Sequence, residues 1–352
     1  MVISLTRRAH LRTNSQTAQG LTVKSLCLSR FLLGLFCAAG LTFANAALAQ
    51  KIKVGYWSSG LSLGQGAVME SQKFLEKEGL EVEWVKFSDV NQPLRAVALH
   101  TIDLAFAAPS AGAMAVIAEG APVKIVLNTH IAEVYFVVLD ESPIKSLADI
   151  RGKKIGMSPP GSATHSLGTA LLEFNYGLKL SDYTAVPGTE ALLAQFVAQK
   201  QIDVAAVRST TVAQMNELKL RRLGTYSEEW KKLTKSTAPP ILAVTIVHND
   251  YLAKNPDAVA KFIAALRKVN EFGSKNKQAV AEVLQKAANM PADDARAYAA
   301  EWDNIYMAAF EPADIATLKR QAAIFKSAGS LKQDPVESGF ATDAYQRSKK
   351  LK

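Results

Sequence analysis

From Ile52 onward, short apolar runs alternate with longer stretches in which apolar residues recur every three or four positions. The first run, over 52–56, reads as a strand. A Ser/Gly loop follows over 58–62, and a helix is expected over about 66–78, stopped by Gly79. Residues 80–87 alternate apolar and charged side chains, as a strand with one solvated face does. A short helix over 91–99, an apolar strand over 102–107, a small-residue helix over 110–119 and a strand over 124–128 complete this series. Residues 134–140 form a more apolar strand than any before them. The pattern then restarts, with strands over 153–157, 183–187 and 202–207 and helices over 163–176, 189–200 and 210–218. A second strongly apolar strand spans 241–247, after Pro239-Pro240. Helix is expected from there on, with starts at Pro256, Pro291 and Pro312. Strands alternating with helices at this spacing predict parallel βαβ units.

The restart is also visible residue by residue. Lys53-Val54-Gly55-x4-Gly60 is matched by Lys154-Ile155-Gly156-x4-Gly161, and Val97-Ala98-x3-Ile102-Asp103-Leu104-Ala105 by Val197-Ala198-x3-Ile202-Asp203-Val204-Ala205. The offsets are 101 and 100 residues. Two matches at nearly one offset, in the same strand and helix order, point to two α/β lobes of like topology. The expected architecture is α/β. Each lobe is a mostly parallel sheet flanked by helices, and the apolar strands 134–140 and 241–247 serve as crossovers. One lobe takes residues 51–137 and 245–352, the other 138–244. Ligands of such sheets sit beyond the carboxyl ends of the strands. The loops in question are 56–62 and 108–110 in one lobe and 158–165 and 208–210 in the other.

Composition changes the picture at the N-terminus. Residues 1–49 carry Arg7, Arg8, Arg12, Lys24 and Arg30 and no acid, then an apolar run over 31–44 and Ala47-Leu48-Ala49. This is the pattern of a secretory signal cleaved after Ala49, with an apolar run too short for a retained anchor. Its removal takes away Cys27 and Cys37, both cysteines of the chain, which excludes thiolate catalysis and Cys-ligated metal from the mature protein. It also takes five of the 41 basic residues, so 36 face 32 acids and the net charge falls from +9 to +4. A balance this mild, without a basic run interleaved with aromatics, gives no support to nucleic-acid binding.

The candidate chemistry is that of binding. Arg208 ends an apolar strand, where a guanidinium presents a fixed fork to carboxylate, sulfonate or phosphate oxygens; the alternative is an ion pair with an acid such as Glu190. Ser162 is placed to cap the helix over 163–176 and, at the same helix N-terminus, to face an anion. Thr164 and His165 occupy the first turn of that helix, and Ser110 heads the helix of the first lobe. Ser58 and Ser59 lie in the first loop. Trp57 could stack on an organic ligand or simply pack. Glu133, just before the first crossover, could meet a cationic amine or stay solvated. Asp103 and Asp203 are expected to cap the turns before their strands. His100, His130 and His248 are scattered without metal-ligand spacing, so no metal site is expected. No nucleophile elbow, Walker or dinucleotide glycine pattern or H-E-x-x-H occurs, so no catalytic residue is assigned.

Several stretches carry a family resemblance: the opening strand 51–56, Gly79-Leu80-Glu81-Val82-Glu83, Ile102-Asp103-Leu104-Ala105-Phe106-Ala107, and Gly161-Ser162-Ala163-Thr164-His165. The most specific runs from Ser142-Pro143-Ile144-Lys145-Ser146-Leu147-Ala148-Asp149-Ile150 through Arg151-Gly152-Lys153-Lys154-Ile155. With these the chain resembles the periplasmic solute-binding proteins of ABC importers, in the branch that includes taurine, alkanesulfonate and nitrate binders. The resemblance implies a type II periplasmic binding fold, exported to a Gram-negative periplasm. It implies closure of two lobes on a small organic anion, without a cofactor, by a monomer that delivers it to the ABC transporter membrane permease. It also implies that Ser110, Ser162, Thr164 and His165 lie in the cleft. The expected ligand is a sulfonate such as taurine or an alkane- or arylsulfonate. The alternatives are an aromatic carboxylate, a thiamine-precursor pyrimidine, or an enzyme of the pyrimidine-precursor synthase type. The chain departs from the family at His100 and Lys200, where relatives often carry Gly before the Ile-Asp pair.

Overall fold

A computed structural model describes residues 50–215 and 217–351. The expected signal, 1–49, lies outside them. Among the described residues, eleven strands form two sheets. Those of the first are β1 (Gln50–Trp57), β2 (Leu80–Phe87), β3 (Leu104–Pro109), β4 (Val123–Ile131), and, far along the chain, β10 (Ile241–His248) and β11 (Tyr306–Ala309). Those of the second are β5 (Val134–Leu139), β6 (Lys154–Met157), β7 (Thr184–Pro187), β8 (Val204–Arg208) and β9 (Leu220–Thr225). The sheet orders are β11-β4-β10-β3-β1-β2 and β7-β6-β8-β5-β9.

The repeat read from the sequence is physical. In the first sheet β1 pairs in parallel with β2 and β3, and in the second β6 pairs in parallel with β7 and β8. Antiparallel β10 then joins β3, and antiparallel β5 joins β8. The paired aspartates do the same work in each half. Asp103 Oδ2 accepts from the Lys53 N–H at 2.8 Å, and Asp203 Oδ2 from the Lys154 N–H at 2.7 Å, tying each third strand to the start of the first. The matched glycines also share one reason. A Cβ on Gly55 would lie 2.3 Å from Ile102 Cδ1, and one on Gly156 2.4 Å from Ile202 Cδ1. His100 and Lys200 sit at φ 54° and 56°, the left-handed region that favours glycine, so the departures from the family pattern carry backbone strain at both repeats. Gly55→Ala and Gly156→Ala are each expected to cost about 1–3 kcal/mol by overpacking. Ile102→Val or Ile202→Val, which removes the clashing methyl, should restore part of it in a denaturant titration. Absence of rescue in both halves would sink the shared-packing explanation.

Four expectations are corrected. The lobe boundaries at 137/138 and 244/245 fall inside β5 and β10, yet each strand belongs wholly to one sheet. β5 is paired by β8 and β9, and β10 by β3 and β4. Dividing either strand between sheets would leave backbone donors and acceptors unpaired in an apolar interior. The chain crosses instead at 132–133 and 235–240, just before each strand. The helix expected over 66–78 begins at Gly60 and is split into Gly60–Ser71 and Phe74–Lys77, with Lys73 at φ 52° between them. Its glycines make room: a Cβ on Gly64 would meet Tyr298 Oη at 2.2 Å, and one on Gly66 the Tyr56 ring at 2.7 Å. The helix expected over 210–218 stops at Gln214, and β9 follows, its adjacent Arg221 and Arg222 hiding the strand period. Lastly, the helical C-terminal region is interrupted by β11, a short edge strand on β4.

Candidate functional site

The carboxyl ends of β1, β3, β6 and β8 and the first turns of the helices after them surround two neighbouring cavities. The smaller, about 30 Å3, is walled by Trp57, Ser62, His130, Ser162, Thr164 and Arg208, with apolar side chains such as Leu242 closing it. The larger, about 580 Å3, takes Ser59, Glu190, Thr211, Asp294 and Tyr298, together with apolar Met215 and Met290. Arg208 borders both. The smaller has room for little more than a water-sized group, whereas an organic molecule fits the larger.

Arg208 is placed by β8, whose residues are all buried. Its side chain is 8% exposed, with Nη1 2.9 Å from Glu190 Oε1. The Arg208 backbone N–H donates to Glu190 Oε2 at 3.1 Å, and Thr211 Oγ1 donates to the same oxygen at 2.7 Å. The ion pair weighed against a ligand role is therefore present. It does not use up the guanidinium, because Nε makes no hydrogen bond to protein. The guanidinium lies 6.0 Å from the Trp57 ring centre and 3.0 Å from where a Cβ on Gly60 would stand. An arginine of the second sheet thus touches a loop of the first, at a glycine with φ 57°.

Ser162 Oγ accepts from the His165 N–H at 3.2 Å and caps the helix Ala163–Tyr176, whose N-terminus opens on the smaller cavity. Thr164 is fully buried against the same cavity, its carbonyl accepting from Tyr226 Oη at 2.9 Å. His130 reaches the cavity from β4. Burial, and then the Arg208 charge, push its pKa down to about 3, so the ring is neutral. Its Nε2 lies 3.2 Å from Gln65 Oε1, and Gln65 Nε2 donates to Asn270 Oδ1 at 2.8 Å. Tyr306 Oη donates to the Leu61 carbonyl at 2.6 Å and lies 2.6 Å from Tyr298 Oη. Burial raises both phenols above their ordinary pKa. These groups are neutral donors and acceptors held on rigid elements, and none of them is poised as a nucleophile.

A folded pKa of about 3 against about 6.5 unfolded means that the folded state binds fewer protons in between. The contribution of His130 is present above about pH 6.5 and is lost as pH falls toward 3, by up to about 1.4 kcal/mol per pH unit. His130→Gln is therefore expected to flatten the loss of melting temperature between pH 7 and pH 4. Parallel melting profiles for the two proteins would show that this histidine does not titrate with unfolding.

Not all the expected residues meet at the cavities. Trp57, Ser162, Thr164 and Arg208 line the smaller, and Ser59 and Arg208 the larger. Ser58 Oγ donates to the Phe87 carbonyl at 2.9 Å. Ser110 is wholly buried and donates to the Ile241 carbonyl at 2.8 Å, joining β3 to β10. Glu133 Oε1 accepts from Ser227 Oγ at 2.7 Å. His165 lines neither cavity, and burial lowers its pKa.

Against known proteins, the family described as NMT1/THI5 like matches residues 67–279. The chain belongs to the NMT1/THI5-like family. A Brucella abortus relative, named as a binding protein, is 28% identical over 257 residues, 72% of this chain and 77% of its own. An Escherichia coli relative, named as an aliphatic sulfonates-binding protein, is 28% identical over 180 residues, 50% of this chain and 54% of its own. A Haemophilus influenzae relative, named as a thiamine biosynthesis protein, is 36% identical over 107 residues, 30% and 33% of the two chains. Among solved structures, the alkanesulfonate-binding protein SsuA from Xanthomonas axonopodis pv. citri bound to MOPS superimposes with a TM-score of 0.69. It is 19% identical, over 83% of this chain and 98% of that one. The desulfurization enzyme DSZB gives a TM-score of 0.60 at 14% identity, over 86% and 99% of the chains. The fold is thus that of the two-lobe periplasmic binding proteins, and it also carries at least one enzyme.

In this NMT1/THI5-like chain, sequence reasoning missed Ser62 and His130 as cavity residues. Ser62 lay at the edge of a loop already singled out. His130 gave no local signal, because its role depends on β4 running between β10 and β11.

Proposed function

We propose that this chain is the solute-binding component of an ABC import system, acting in the periplasm as a monomer that closes two lobes on a small organic anion and hands it to a membrane permease. The observation that carries the reading is Arg208, a buried guanidinium that is ion-paired to Glu190 through Nη1 and has no hydrogen-bond partner at Nε, on the border of two cavities between the sheets. A helix N-terminus and the hydroxyls of Ser162 and Thr164 beside it favour an anion further. A sulfonate is the first choice of head group, in keeping with the sulfonate-binding relative and structural neighbour. The cavity-lining residues supply hydrogen-bond donors and no thiol, which supports binding without turnover.

A second reading, an aminopyrimidine related to thiamine precursors, is favoured by one feature. Glu190 and Asp294 both line the larger cavity and would accept from ring or exocyclic N–H groups. Thermal-shift screening separates the two, since a ligand that binds only the folded state raises its melting temperature. The anion reading expects a dose-dependent rise with taurine, alkane- or arylsulfonates, or benzoates. A rise with aminopyrimidines alone would replace it by the second reading.

A further inference from the structure

β3 and β10 run antiparallel, with Pro109 and Leu242 at the cavity, so Asp103 and His248 stand at the opposite end of the sheet. There, histidines 148 positions apart in the chain come together. The His100 and His248 rings stack with centres 3.7 Å apart and planes at 11°. Asp250 joins them from the first turn of the helix Asn249–Lys254. One ligand atom from each of His100, His248 and Asp250 lies within 4.8 Å of the others. Asp103 Oδ1 stands 3.5 Å from His100 Nε2, while its other oxygen is engaged by Lys53.

The same place in the other half of the fold shows what is unusual here. Lys200, the counterpart of His100, reaches across to the chain just after β5, where its Nζ lies 2.7 Å from Glu141 Oε1. That half ties its turn down with a cation and a carboxylate. The first half offers two imidazoles and two carboxylates at the equivalent position and no lysine or arginine among them.

We propose that His100, His248 and Asp250 bind a divalent transition-metal ion, with Asp103 orienting His100 from behind. Two imidazoles and one carboxylate suit zinc, nickel or copper better than magnesium or calcium, which take oxygen ligands. A carboxylate behind a ligating histidine is the common supporting arrangement. Imidazole lone pairs lie in the ring plane, so two parallel rings cannot both point at one ion. His100, with a side chain 39% exposed and a long contact to Asp103, is the ring able to turn. His248 is buried, and its Nδ1 accepts from the Asp250 N–H at 3.2 Å. Ligation replaces the stack and this long capping bond by coordination, and fastens the 99–103 turn to the end of β10.

The test is calorimetric titration of the untagged protein with Zn2+ at neutral pH, compared with His100→Asn, His248→Asn and Asp250→Asn. Asn tolerates the left-handed backbone at 100 and keeps an N-cap acceptor at 248. The metal-free melting temperatures report whether each variant is folded. The proposal expects saturable one-to-one binding, a rise in melting temperature with Zn2+, and at least tenfold weaker binding in each histidine variant. Asp250→Asn should weaken it as well. No saturable binding to the wild type, or wild-type affinity in either histidine variant, overturns it.

Discussion

Arg208→Met is expected to lower folding stability by about 3–5 kcal/mol, because it leaves the Glu190 carboxylate buried without its partner. The carboxylate would keep the Arg208 backbone N–H and the Thr211 hydroxyl, which soften the loss without supplying a charge. Adding Glu190→Leu removes the stranded charge, and an apolar pair of similar size is often as stable as the ion pair it replaces. The double variant should therefore regain most of the stability. It should not regain ligand affinity, which is expected to stay at least tenfold below wild type for an organic anion. Denaturant unfolding and titration of the best ligand from the screen check the two halves separately. Recovery of affinity along with stability would make Arg208 a structural ion pair and nothing more.

Gly60→Val carries the second large effect. At φ 57° a β-branched residue costs about 1–2 kcal/mol in backbone strain. The added Cβ would also stand 3.0 Å from Arg208 Nη1 and 3.1 Å from the Trp57 ring. These neighbours come from different sheets, so the strain is relieved by separating them. The variant is expected to bind the anion at least tenfold more weakly, because Arg208 Nη1 and the Trp57 ring must shift at the cavity wall. Normal affinity in a calorimetric titration would show that binding does not depend on this contact.

Much of the fold was legible because local pattern and packing agree. The offset of 100 residues located Asp103 and Asp203, and both make the same backbone bond across to the neighbouring strand. Ser162 was legible as a cap and is one. What stayed hidden depended on distant partners. β9 has no alternating pattern and exists because β5 offers an open edge. The first turns of the helix that begins at Gly60 look like a loop until Tyr298 is seen to need the space at Gly64. Ser110, which in the sequence looks like an anion donor, spends its hydroxyl on Ile241, a residue 131 positions away. For Arg208 the two readings open in the sequence turn out to be compatible. The same guanidinium pairs with Glu190 through Nη1 and leaves Nε without a partner beside a cavity.

The most direct test of the account is isothermal titration of the wild-type protein and the Arg208→Met/Glu190→Leu variant with the organic anion that gives the largest thermal shift, with the ligand recovered afterwards. The account predicts one-to-one binding to the wild type, at least tenfold weaker binding to the variant, and ligand recovered chemically unchanged. Equal affinity in the two proteins, or conversion of the ligand to product, would contradict it.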